Sequence, residues 1–482
     1  MKLSELLKGT DYKILGQKQD CEVLGIKHQS ENIKNGDMFF CLKGSKKDGH
    51  DFALEATQHG ASVIVSERDL NLPKDIINVV TNDTRKAMAI ISSNFYKNPS
   101  KDMQVVMVTG TNGKTTTTYL LDSICKSAGK NSAIIGTNGA IVNGKVIQTN
   151  MTTPDPIELQ KLLRYMKDSG VEVVIMEMSA HALELQKNSG IMSDISIFTN
   201  LTQDHLDYFL SMENYGEAKQ KLFNSKASKF AVLNIDDNFS KEIIKTIDIP
   251  YFSTSINADA DFTAIDIKSE KAGQTFKLNT DNCLHEISLN LDGRFNVSNS
   301  LGAIAAANKL GICYKNIISG LQSLKSVPGR FNSFLINGKK FIVDYAHTPD
   351  GLENILKAGR QLLRSNGKLI SIFGCGGNRD KLKRPIMGQI SSRLSDITII
   401  TSDNPRLENP LDIISDIENG VESGTNYYIE PDRRNAIKLG FNLASQNDII
   451  IVSGKGAEDY IDIGGVKTHY ADSETIEELG RE

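Results

Sequence analysis

The residues with the clearest capacity for chemistry form a glycine turn between a buried strand and the start of a helix. Residues 105–108 (VVMV) are typical of a strand, and the turn that follows is Gly110-Thr111-Asn112-Gly113. Its glycines allow unusual φ angles and bring backbone N–H groups close to an anion, while Lys114 adds a positive charge. Thr115 and Thr116 follow at the expected helix start, where a hydroxyl can reach a magnesium ion that bridges phosphates. This order predicts a site for a nucleoside triphosphate.

The turn departs from the strict pattern G-x-x-x-x-G-K-[ST], because Val108 occupies the place of the first glycine. The alternative is a plain glycine turn with an exposed lysine. The order Gly, Lys, Thr between a strand and a helix favours the phosphate site. A phosphate loop alone leaves a kinase, a GTPase, a transport ATPase and a ligase open.

Two further apolar runs end in polar clusters. Glu177, Ser179 and His181 follow one run, and His205 lies between Asp204 and Asp207 after the next. In open α/β sheets, ligands bind outside the carboxyl ends of the strands, so both clusters should lie above the phosphate loop. Glu177 and His205 are candidate ligands of a second magnesium ion, although an imidazole on magnesium is unusual because that ion prefers oxygen. A core or capping histidine is the alternative for His205.

The composition limits the kinds of partner. The chain has 55 Lys and Arg against 59 Asp and Glu, so no basic surplus points to nucleic acid or a membrane, and small molecules are the expected partners. The six cysteines are dispersed without a C-x-x-C pair, which argues against a disulfide framework or structural zinc and fits a reducing cytosol. No apolar run approaches the length of a membrane span or a signal core. We therefore expect a cytoplasmic monomer.

The 482 residues suffice for about three domains at roughly 150 residues each. Candidate linkers at residues 98–102 (NPSKD) and 327–330 (VPGR) predict three domains, or units, of residues 1–100, 101–331 and 332–482. In the central and C-terminal units, apolar runs alternate with helical patterns such as Ile157 to Ser169, which predicts two doubly wound parallel sheets, the second Rossmann-like. The first unit mixes short strands with a helix near residues 52–60 and is typical of an α/β binding module. The predicted class is α/β with three domains.

Ten sequence blocks resemble one family, the Mur ligases, which are ATP-dependent amide ligases of bacterial peptidoglycan precursor synthesis. The blocks are GTNGKTT (110–116), EMSAHAL (177–183), FTNLTQDHLDY (198–208), YGEAKQKLF (215–223), GRFNVSNSLGA (293–303), PGRF (328–331), VDYAHTPDGL (343–352), FGCGGNRDKLKRP (373–385), SDNPR (402–406) and SGKGAEDY (453–460). They occur in the family's order almost from end to end. Together, GCGGNRD and DNPR resemble the members that add the third peptide residue, in a uridine-nucleotide substrate bound by the N-terminal domain.

The resemblance implies that ATP is a substrate held by residues 110–116. Asn296 and Asn299, three residues apart and so on one face of a helix, would contact the adenine side. Arg330 and Asp344 would bring the C-terminal domain onto the nucleotide when the domains close. Without the resemblance, these two residues would pass as a linker arginine and a strand-end aspartate.

The resemblance also implies a magnesium site. Lys114 and Thr115 would hold the phosphates and one ion, with Glu177 and His205 serving a metal. Lys219, in the motif Y-x-x-A-K-x-x-L-F, would be the family's lysine that CO2 carbamylates, since an unmodified ammonium would repel the metal. From the sequence alone, a solvated helix lysine is the alternative for Lys219.

The incoming amino acid would be bound near the DNPR block. The implied pocket residues are Arg379, Asp403, Asn404, Pro405, Arg406, Gly454 and Glu458. Two arginines can pair with carboxylates in bidentate fashion and Glu458 can accept from an ammonium, which suits meso-diaminopimelate better than L-lysine. L-lysine stays the alternative. An Asn-Pro pair also favours a turn, but a turn does not explain the arginine.

The UDP-muramoyl-dipeptide would contact Ser30 of the N-terminal domain and four residues of the central domain. Those four are Thr152, Thr153, Ser179 and Lys187. The chain departs from the family at several of its positions: Gln29 and Glu31 replace the usual Asp and Arg, Lys187 stands where Arg is common, Ala457 replaces a frequent His, and Ser473 replaces Arg. None of these changes removes an expected phosphate or metal ligand.

The implied reaction activates the glutamyl carboxylate as an acyl phosphate, which the amine of the amino acid then attacks. A folylpolyglutamate synthetase relative would share the phosphate loop, but GCGGNRD and DNPR argue against it. A NAD-dependent enzyme is suggested by Gly374-Cys375-Gly376-Gly377 after a strand, but the third glycine of that pattern is missing. A non-catalytic relative would bind nucleotide without releasing phosphate.

Overall fold

The computed structural model describes residues 1–15, 19–44, 47–270, 273–280, 283–363 and 366–481. Within these residues the chain forms three large sheets in three consecutive segments, and a two-stranded ribbon near its C-terminal end. Helices pack against the sheets, which confirms the predicted α/β class. The domain boundaries at residues 100 and 331 stay predictions.

The N-terminal sheet has five strands in the order β1-β5-β4-β3-β2. The strands are β1 (Lys13–Leu15), β2 (Gly25–Lys27), β3 (Asp37–Phe40), β4 (Ala61–Ser66) and β5 (Ile77–Val80). The helices are α1 (Leu3–Leu6), α2 (Ala53–Gln58) and α3 (Thr84–Phe95), with 3-10 turns at Ser30–Asn32, Gly49–Phe52 and Pro99–Asp102. Only β1 runs antiparallel to its neighbour. Asp83 caps α3, because its carboxylate accepts from the backbone N–H groups of Arg85 and Lys86.

The central sheet has eleven strands in the order β16-β15-β14-β13-β12-β11-β6-β10-β7-β8-β9. The strands are β6 (Gln104–Thr109), β7 (Ser132–Gly136), β8 (Gly139–Val142), β9 (Lys145–Ile147), β10 (Val173–Glu177), β11 (Ile195–Phe198), β12 (Ala231–Asn234), β13 (Tyr251–Ser255), β14 (Phe262–Ser269), β15 (Gln274–Thr280) and β16 (Cys283–Leu289). The helices are α4 (Lys114–Ser127), α5 (Pro156–Asp168), α6 (Ala180–Glu184), α7 (Leu206–Phe209), α8 (Met212–Gln220), α9 (Phe239–Thr246), α10 (Arg294–Lys309) and α11 (Tyr314–Ser323). Strand β6 lies between β10 and β11, parallel to both, so the turn after β6 opens where ligands bind in such sheets.

The central sheet is parallel in its middle, as predicted, and antiparallel at its edges, which the sequence did not predict. β7, β8 and β9 form an antiparallel meander on one side, and β14, β15 and β16 form another on the opposite side. Along β15, buried residues alternate with half-buried ones. Because only one face of this edge is covered, the strands need alternation rather than a continuous apolar run.

The C-terminal sheet has six strands in the order β17-β18-β22-β19-β20-β21, and β23 pairs with β24 in the separate ribbon. The strands are β17 (Asn332–Ile336), β18 (Lys339–Asp344), β19 (Leu369–Phe373), β20 (Ile397–Ile400), β21 (Tyr427–Ile429), β22 (Ile449–Ser453), β23 (Tyr460–Ile463) and β24 (Val466–His469). The helices are α12 (Pro349–Leu362), α13 (Lys383–Leu394), α14 (Pro410–Glu418), α15 (Arg433–Leu443) and α16 (Asp472–Leu479). Pro385 lies in the first turn of α13, where proline is tolerated.

No helix in the described ranges combines the length and apolarity needed to cross a membrane.

Candidate active site

The turn between β6 and α4 is held open by glycine. Gly113 has a φ of 86°, and a Cβ at this position would lie 2.2 Å from Oδ1 of Asn299. Lys114 opens α4 and folds back, so that its Nζ donates to the carbonyl oxygens of Gly110 at 2.9 Å and Thr111 at 2.8 Å. The turn therefore holds the lysine charge at the place where phosphate is expected.

Lys219 lies on α8 with a side chain that is almost fully buried, at 1% exposure. Its Nζ is 4.3 Å from the centre of the Tyr215 ring. Among the described residues it makes no hydrogen bond and no ion pair. Burial, and then the nearby Lys114 charge, hold the pKa of Lys219 well below its ordinary value. The neutral amine is therefore favoured, and the alternative of a solvated helix lysine is wrong.

Tyr215 joins α8 to the phosphate turn. Its hydroxyl accepts from Oγ1 of Thr111 at 3.2 Å, and its ring lies 6.1 Å from that of His205. The helix that carries Lys219 is thus fixed to the turn that carries Lys114. Tyr215 belongs to the YGEAKQKLF block, but its spacing in the sequence does not show which residue it contacts.

Glu177 is the last residue of β10 and is 1% exposed. Its Oε1 accepts from the backbone N–H of Thr137 at 2.9 Å, and its Oε2 accepts from the Thr137 hydroxyl at 3.1 Å. Burial lowers the pKa of the Lys114 ammonium, and the charge of Glu177 opposes that shift. The predicted carboxylate and the phosphate-loop lysine are therefore within electrostatic reach of each other.

His205 is reached by a loop, because β11 ends at Phe198 rather than at the polar cluster. It precedes α7 with a φ of 57°, and its ring centre is 4.8 Å from that of His181. Burial lowers the pKa of His205 to about 3, although Asp204 acts in the opposite direction. The imidazole is therefore neutral at ordinary pH and can offer a lone pair.

Arg330 of the linker and Asp350 of the C-terminal unit both contact the phosphate loop directly. Nη2 of Arg330 donates to the Thr115 hydroxyl at 3.0 Å, and Nδ2 of Asn112 donates to Oδ2 of Asp350 at 2.9 Å. Arg330 thus contacts the phosphate loop, and its expected role toward ATP stays a prediction. Asp350 was missed, since a first-turn aspartate of a helix has a local explanation.

Asp344 organises the turn that presents Arg330. Its two carboxylate oxygens accept from the backbone N–H groups of Phe331 and Ala346, each at 2.7 Å. The guanidinium of Arg330 stacks 4.6 Å from the centre of the Tyr345 ring. Burial raises the pKa of the Asp344 carboxyl, while Arg330 opposes that change.

Asn296 and Asn299 lie on α10, on one face as the spacing predicts. Nδ2 of Asn299 donates to Oδ1 of Asn296 at 3.1 Å, and Nδ2 of Asn296 donates to the carbonyl of Asp292 at 2.7 Å. Asn299 also borders Gly113. The pair therefore flanks the phosphate turn.

The four central residues expected to contact the dipeptide substrate cluster beside Glu177. Thr153 Oγ1 donates to the Glu177 carbonyl at 2.9 Å and accepts from the backbone N–H of Ser179 at 3.1 Å. Nζ of Lys187 donates to the Thr153 carbonyl at 3.2 Å and lies 2.8 Å from Oδ1 of Asp155. Thr152 adjoins the same cluster, with Oγ1 3.4 Å from that of Thr137.

Ser30 lies in the N-terminal sheet's unit, where its carbonyl oxygen is 2.9 Å from Nδ1 of His59. His28, two residues before Ser30, is half-buried. Burial lowers the pKa of His28, while the charge of Asp155 raises it and that of Lys187 lowers it further. His28 therefore lies within electrostatic reach of Asp155 and Lys187.

The DNPR block follows β20 and lies beside the GCGGNRD block. A Cβ at Gly376 would be 2.8 Å from Nη1 of Arg406 and 3.8 Å from Cγ of Arg379, so both arginines flank this glycine. Arg379 is exposed, whereas Nη1 of Arg406 donates to the carbonyl of Gly377 at 2.9 Å. The two predicted arginines are thus brought together.

The remaining pocket residues also converge. Nδ2 of Asn404 donates to Oε2 of Glu458 at 2.9 Å. A Cβ at Gly454 would lie 2.5 Å from Oδ2 of Asp403, so a side chain here would collide with that carboxylate. Nζ of Lys455 reaches both Asn404 and Glu458, and its part in the pocket was missed because a lysine among glycines usually indicates an exposed turn.

No group of three or more His, Cys, Asp and Glu side chains is arranged to hold a metal ion within the ranges the structure describes. The predicted magnesium ligands are not a group of that composition, because they combine Thr115, Glu177 and His205 with a modified Lys219.

The chain matches three family descriptions in succession. These are the Mur ligase family catalytic domain at residues 22–104, the Mur ligase middle domain at residues 108–307, and the Mur ligase glutamate ligase domain at residues 329–456. A protein of Clostridium tetani (strain Massachusetts / E88) is 42% identical over 485 residues, 99% of each chain, and is named UDP-N-acetylmuramoyl-L-alanyl-D-glutamate--2,6-diaminopimelate ligase. The chain belongs to the Mur ligase family, which confirms the predicted membership.

Solved structures agree with this assignment. One titled as a structure of UDP-N-acetylmuramoyl-L-alanyl-D-glutamate--2,6-diaminopimelate ligase has a TM-score of 0.69, 32% identity and 95% coverage of both chains. The MurF ligase from Thermotoga maritima, solved in complex with ADP, has a TM-score of 0.64 and 20% identity over 94% of this chain and 96% of its own. At that identity the second likeness concerns the fold alone.

Proposed function

We propose that this chain is an ATP-dependent ligase that joins meso-diaminopimelate to UDP-N-acetylmuramoyl-L-alanyl-D-glutamate in peptidoglycan synthesis. The observation that carries the proposal is the convergence of Lys114, Glu177 and Lys219 with Arg330 of the linker at one phosphate turn. Relatives named for this reaction match along almost the whole chain. ATP as the phosphoryl donor fits the family, one member of which was solved with ADP.

In the proposed reaction, a glutamyl carboxylate oxygen attacks the γ-phosphorus of ATP, and the bond to ADP breaks. The amine of the amino acid then attacks the carbonyl carbon of the acyl phosphate, which releases phosphate and a proton as the amide forms. Lys114 neutralises charge on the phosphoryl oxygens. The orientation of reactants by closed domains contributes roughly 7–11 kcal/mol in favourable cases.

Closure also serves to exclude water, which would hydrolyse the acyl phosphate. The contacts of Arg330 with Thr115 and of Asn112 with Asp350 hold the C-terminal unit against the phosphate turn. We assign these contacts to the closed form that carries out the chemistry.

The residues present fit magnesium. Thr115 offers a hydroxyl, Glu177 a buried carboxylate, and His205 a neutral imidazole. Magnesium prefers oxygen ligands, so the hydroxyl, the carboxylate and a carbamate on Lys219 are the stronger candidates. When bound, the ion would supply positive charge for the phosphoryl oxygens.

Carbamylation of Lys219 is supported by its environment. A neutral amine is the form that attacks CO2, forming an N–C bond and losing a proton. Burial and the Lys114 charge favour that neutral form. The product would carry a negative charge near Lys114, which would attract the Lys114 ammonium, whereas an ammonium on Lys219 would repel it.

Ser30, Thr152, Thr153, Ser179 and Lys187 are proposed to hold the UDP-muramoyl-dipeptide. The amino acid is proposed to bind between Arg379, Arg406 and Glu458, together with Asp403, Asn404, Pro405 and Gly454. ATP would lie along the phosphate turn with its adenine side toward Asn296 and Asn299. We further propose that the protein acts as a monomer in the cytoplasm.

The test is the release of phosphate from ATP in the presence of magnesium and UDP-N-acetylmuramoyl-L-alanyl-D-glutamate, with either meso-diaminopimelate or L-lysine added. The proposal requires release that depends on meso-diaminopimelate and a ligated product of the matching mass. Release that depends on L-lysine alone would move the assignment to the lysine-adding step. Amino-acid-independent release, or none, would exclude the ligase.

A further inference from the structure

Lys455, which the proposed reaction does not use, is enclosed at the centre of the candidate amino-acid pocket. It lies in the loop between β22 and β23, and its side chain has no exposed surface. Its Nζ donates to Oδ1 of Asn404 at 3.1 Å and to Oε2 of Glu458 at 3.2 Å, and lies 3.9 Å from Oδ1 of Asp403. A buried cation is thus surrounded by three residues of the pocket.

The first consequence concerns the side-chain amide of Asn404. Its Oδ1 accepts from Lys455 and also from the backbone N–H of Asp462 at 2.9 Å. With two donors aimed at Oδ1, the opposite end of the amide must be the NH2 group, which donates to Glu458. Lys455 therefore helps to decide which end of Asn404 faces the pocket.

The second consequence concerns charge. Lys455 offsets one of the two carboxylates, Asp403 and Glu458, so the three groups carry a formal charge of −1 together. Asp403 is the more enclosed carboxylate, at 9% side-chain exposure, whereas that of Glu458 is 20%. The hydroxyl of Tyr345 donates to Oε1 of Glu458 at 3.3 Å and helps to fix it. One net negative charge shared by these groups suits a single ligand ammonium.

We propose that Lys455 is a positioning residue for the incoming amino acid. It fixes the amide of Asn404, holds the carboxylate of Glu458 in place and leaves the three charged groups with one net negative charge. This inference rests on the proposed function, and it assigns Lys455 to amino-acid selection rather than to ATP or to the chemical step.

The test compares Lys455→Met with Lys467→Met in the phosphate-release assay. Lys467 is an exposed lysine whose Nζ lies 4.0 Å from the centre of the Tyr460 ring, and Lys455 Nζ lies 5.5 Å from the same ring. In Lys455→Met we expect the KM for meso-diaminopimelate to rise about tenfold or more, as for the loss of a charge-assisted contact, with the KM for ATP within about twofold of wild type. Lys467→Met should match wild type.

The selectivity between the two amino acids is a second readout, and it would not change if Lys455 only stabilised the fold. Without the cation the pocket is more negative, so L-lysine, with one net positive charge, loses less than meso-diaminopimelate, which has none. The ratio of kcat/KM for meso-diaminopimelate to that for L-lysine should therefore fall in Lys455→Met.

Should Lys455→Met fail to fold, Lys455→Gln gives the same test, because it keeps a donor for Asn404 and removes only the charge. A folded variant with an unchanged KM for the amino acid would overturn the proposal, as would an equal rise in the KM for ATP. If wild type turns over neither amino acid, the proposed function fails instead, so the two failures are distinguishable.

Discussion

Asp204 of the central unit and Lys383 of the C-terminal unit form an ion pair between the two units, with Oδ1 of Asp204 3.4 Å from Nζ of Lys383. Both side chains are at most 6% exposed, and Nε2 of His347 lies 3.5 Å from the other oxygen of the same carboxylate. Burial alone would raise the pKa of the Asp204 carboxyl, but Lys383 and His347 hold it well below its ordinary value. The contact between the two units therefore includes a buried carboxylate that faces both Lys383 and His347.

Replacing that carboxylate should loosen the contact between the units. We expect Asp204→Asn to cost roughly 3–5 kcal/mol, because Lys383 is left as a buried cation without its partner. The variant should populate an open form, seen as a larger radius of gyration in small-angle scattering. Asp266→Asn is the control, since Asp266 and Lys277 form an exposed pair whose attraction water screens. An unchanged radius and an unchanged unfolding midpoint in Asp204→Asn would contradict this role.

The low pKa of His205 predicts a pH dependence of stability. The unfolded chain binds a proton at His205 as the pH falls below about 6.5, whereas the folded protein does not until about pH 3. The free energy of unfolding therefore falls with decreasing pH in this window, by at most about 1.4 kcal/mol per pH unit from this group. Denaturant titrations at about pH 7 and about pH 5 should show a smaller loss in His205→Gln than in wild type or in His469→Gln, a change at an exposed histidine. Equal losses in all three proteins would show that His205 titrates normally.

Carbamylation of Lys219 predicts a chemical rescue. Lys219→Ala should lose at least about 100-fold in kcat, because an anionic group of the active site is removed, and short carboxylates or bicarbonate should restore part of it. Lys221→Ala, two residues along the chain and exposed beside Glu184, should behave as wild type. Mass spectrometry at neutral pH should find a CO2 adduct on Lys219 that acid removes. Full activity in Lys219→Ala would end the carbamate proposal.

Two glycines at opposite ends of α4 give a matched test of the phosphate turn. Gly113 and Gly129 both have positive φ, of 86° and 73°. A Cβ atom added at Gly113 would collide with Asn299, whereas one added at Gly129 would have no other atom within 4 Å. Each alanine substitution should cost about 1–2 kcal/mol through backbone strain. Only Gly113→Ala should also raise the KM for ATP, by about tenfold or more, because the turn must shift away from Asn299. Similar KM values for ATP in the two variants would show that the conformation of this turn does not determine ATP binding.

Arg406 is expected to decide between meso-diaminopimelate and L-lysine. Arg406→Ala should raise the KM for meso-diaminopimelate by about 10- to 100-fold, since a charged hydrogen bond to the distal carboxylate is lost. The KM for L-lysine, which lacks that carboxylate, should change much less. Arg360→Ala removes an exposed arginine paired with Asp396 and controls for surface charge. Equal changes for both amino acids would assign Arg406 to holding the loop rather than to recognition.

Much of the fold followed from local pattern. The continuous apolar runs before Gly110 and Glu177 predicted buried parallel strands, and both form. The antiparallel edges of the central sheet were not predicted, because β15 and β16 alternate between covered and open faces and lack that continuous signal. His205 was expected directly after a strand, but β11 ends at Phe198 and a loop connects that strand to His205.

By itself, the sequence determined the phosphate turn and the identities of the side chains around it, because a glycine, a lysine and a threonine between a strand and a helix are fixed by local backbone geometry. Only the tertiary structure decided which distant groups meet: Lys383 with Asp204, Lys455 with Glu458, and Lys219 with the Tyr215 ring. The physical reason is burial. The same lysine is a solvated cation on a surface and a neutral or paired amine in an interior, and residue identity does not encode that difference.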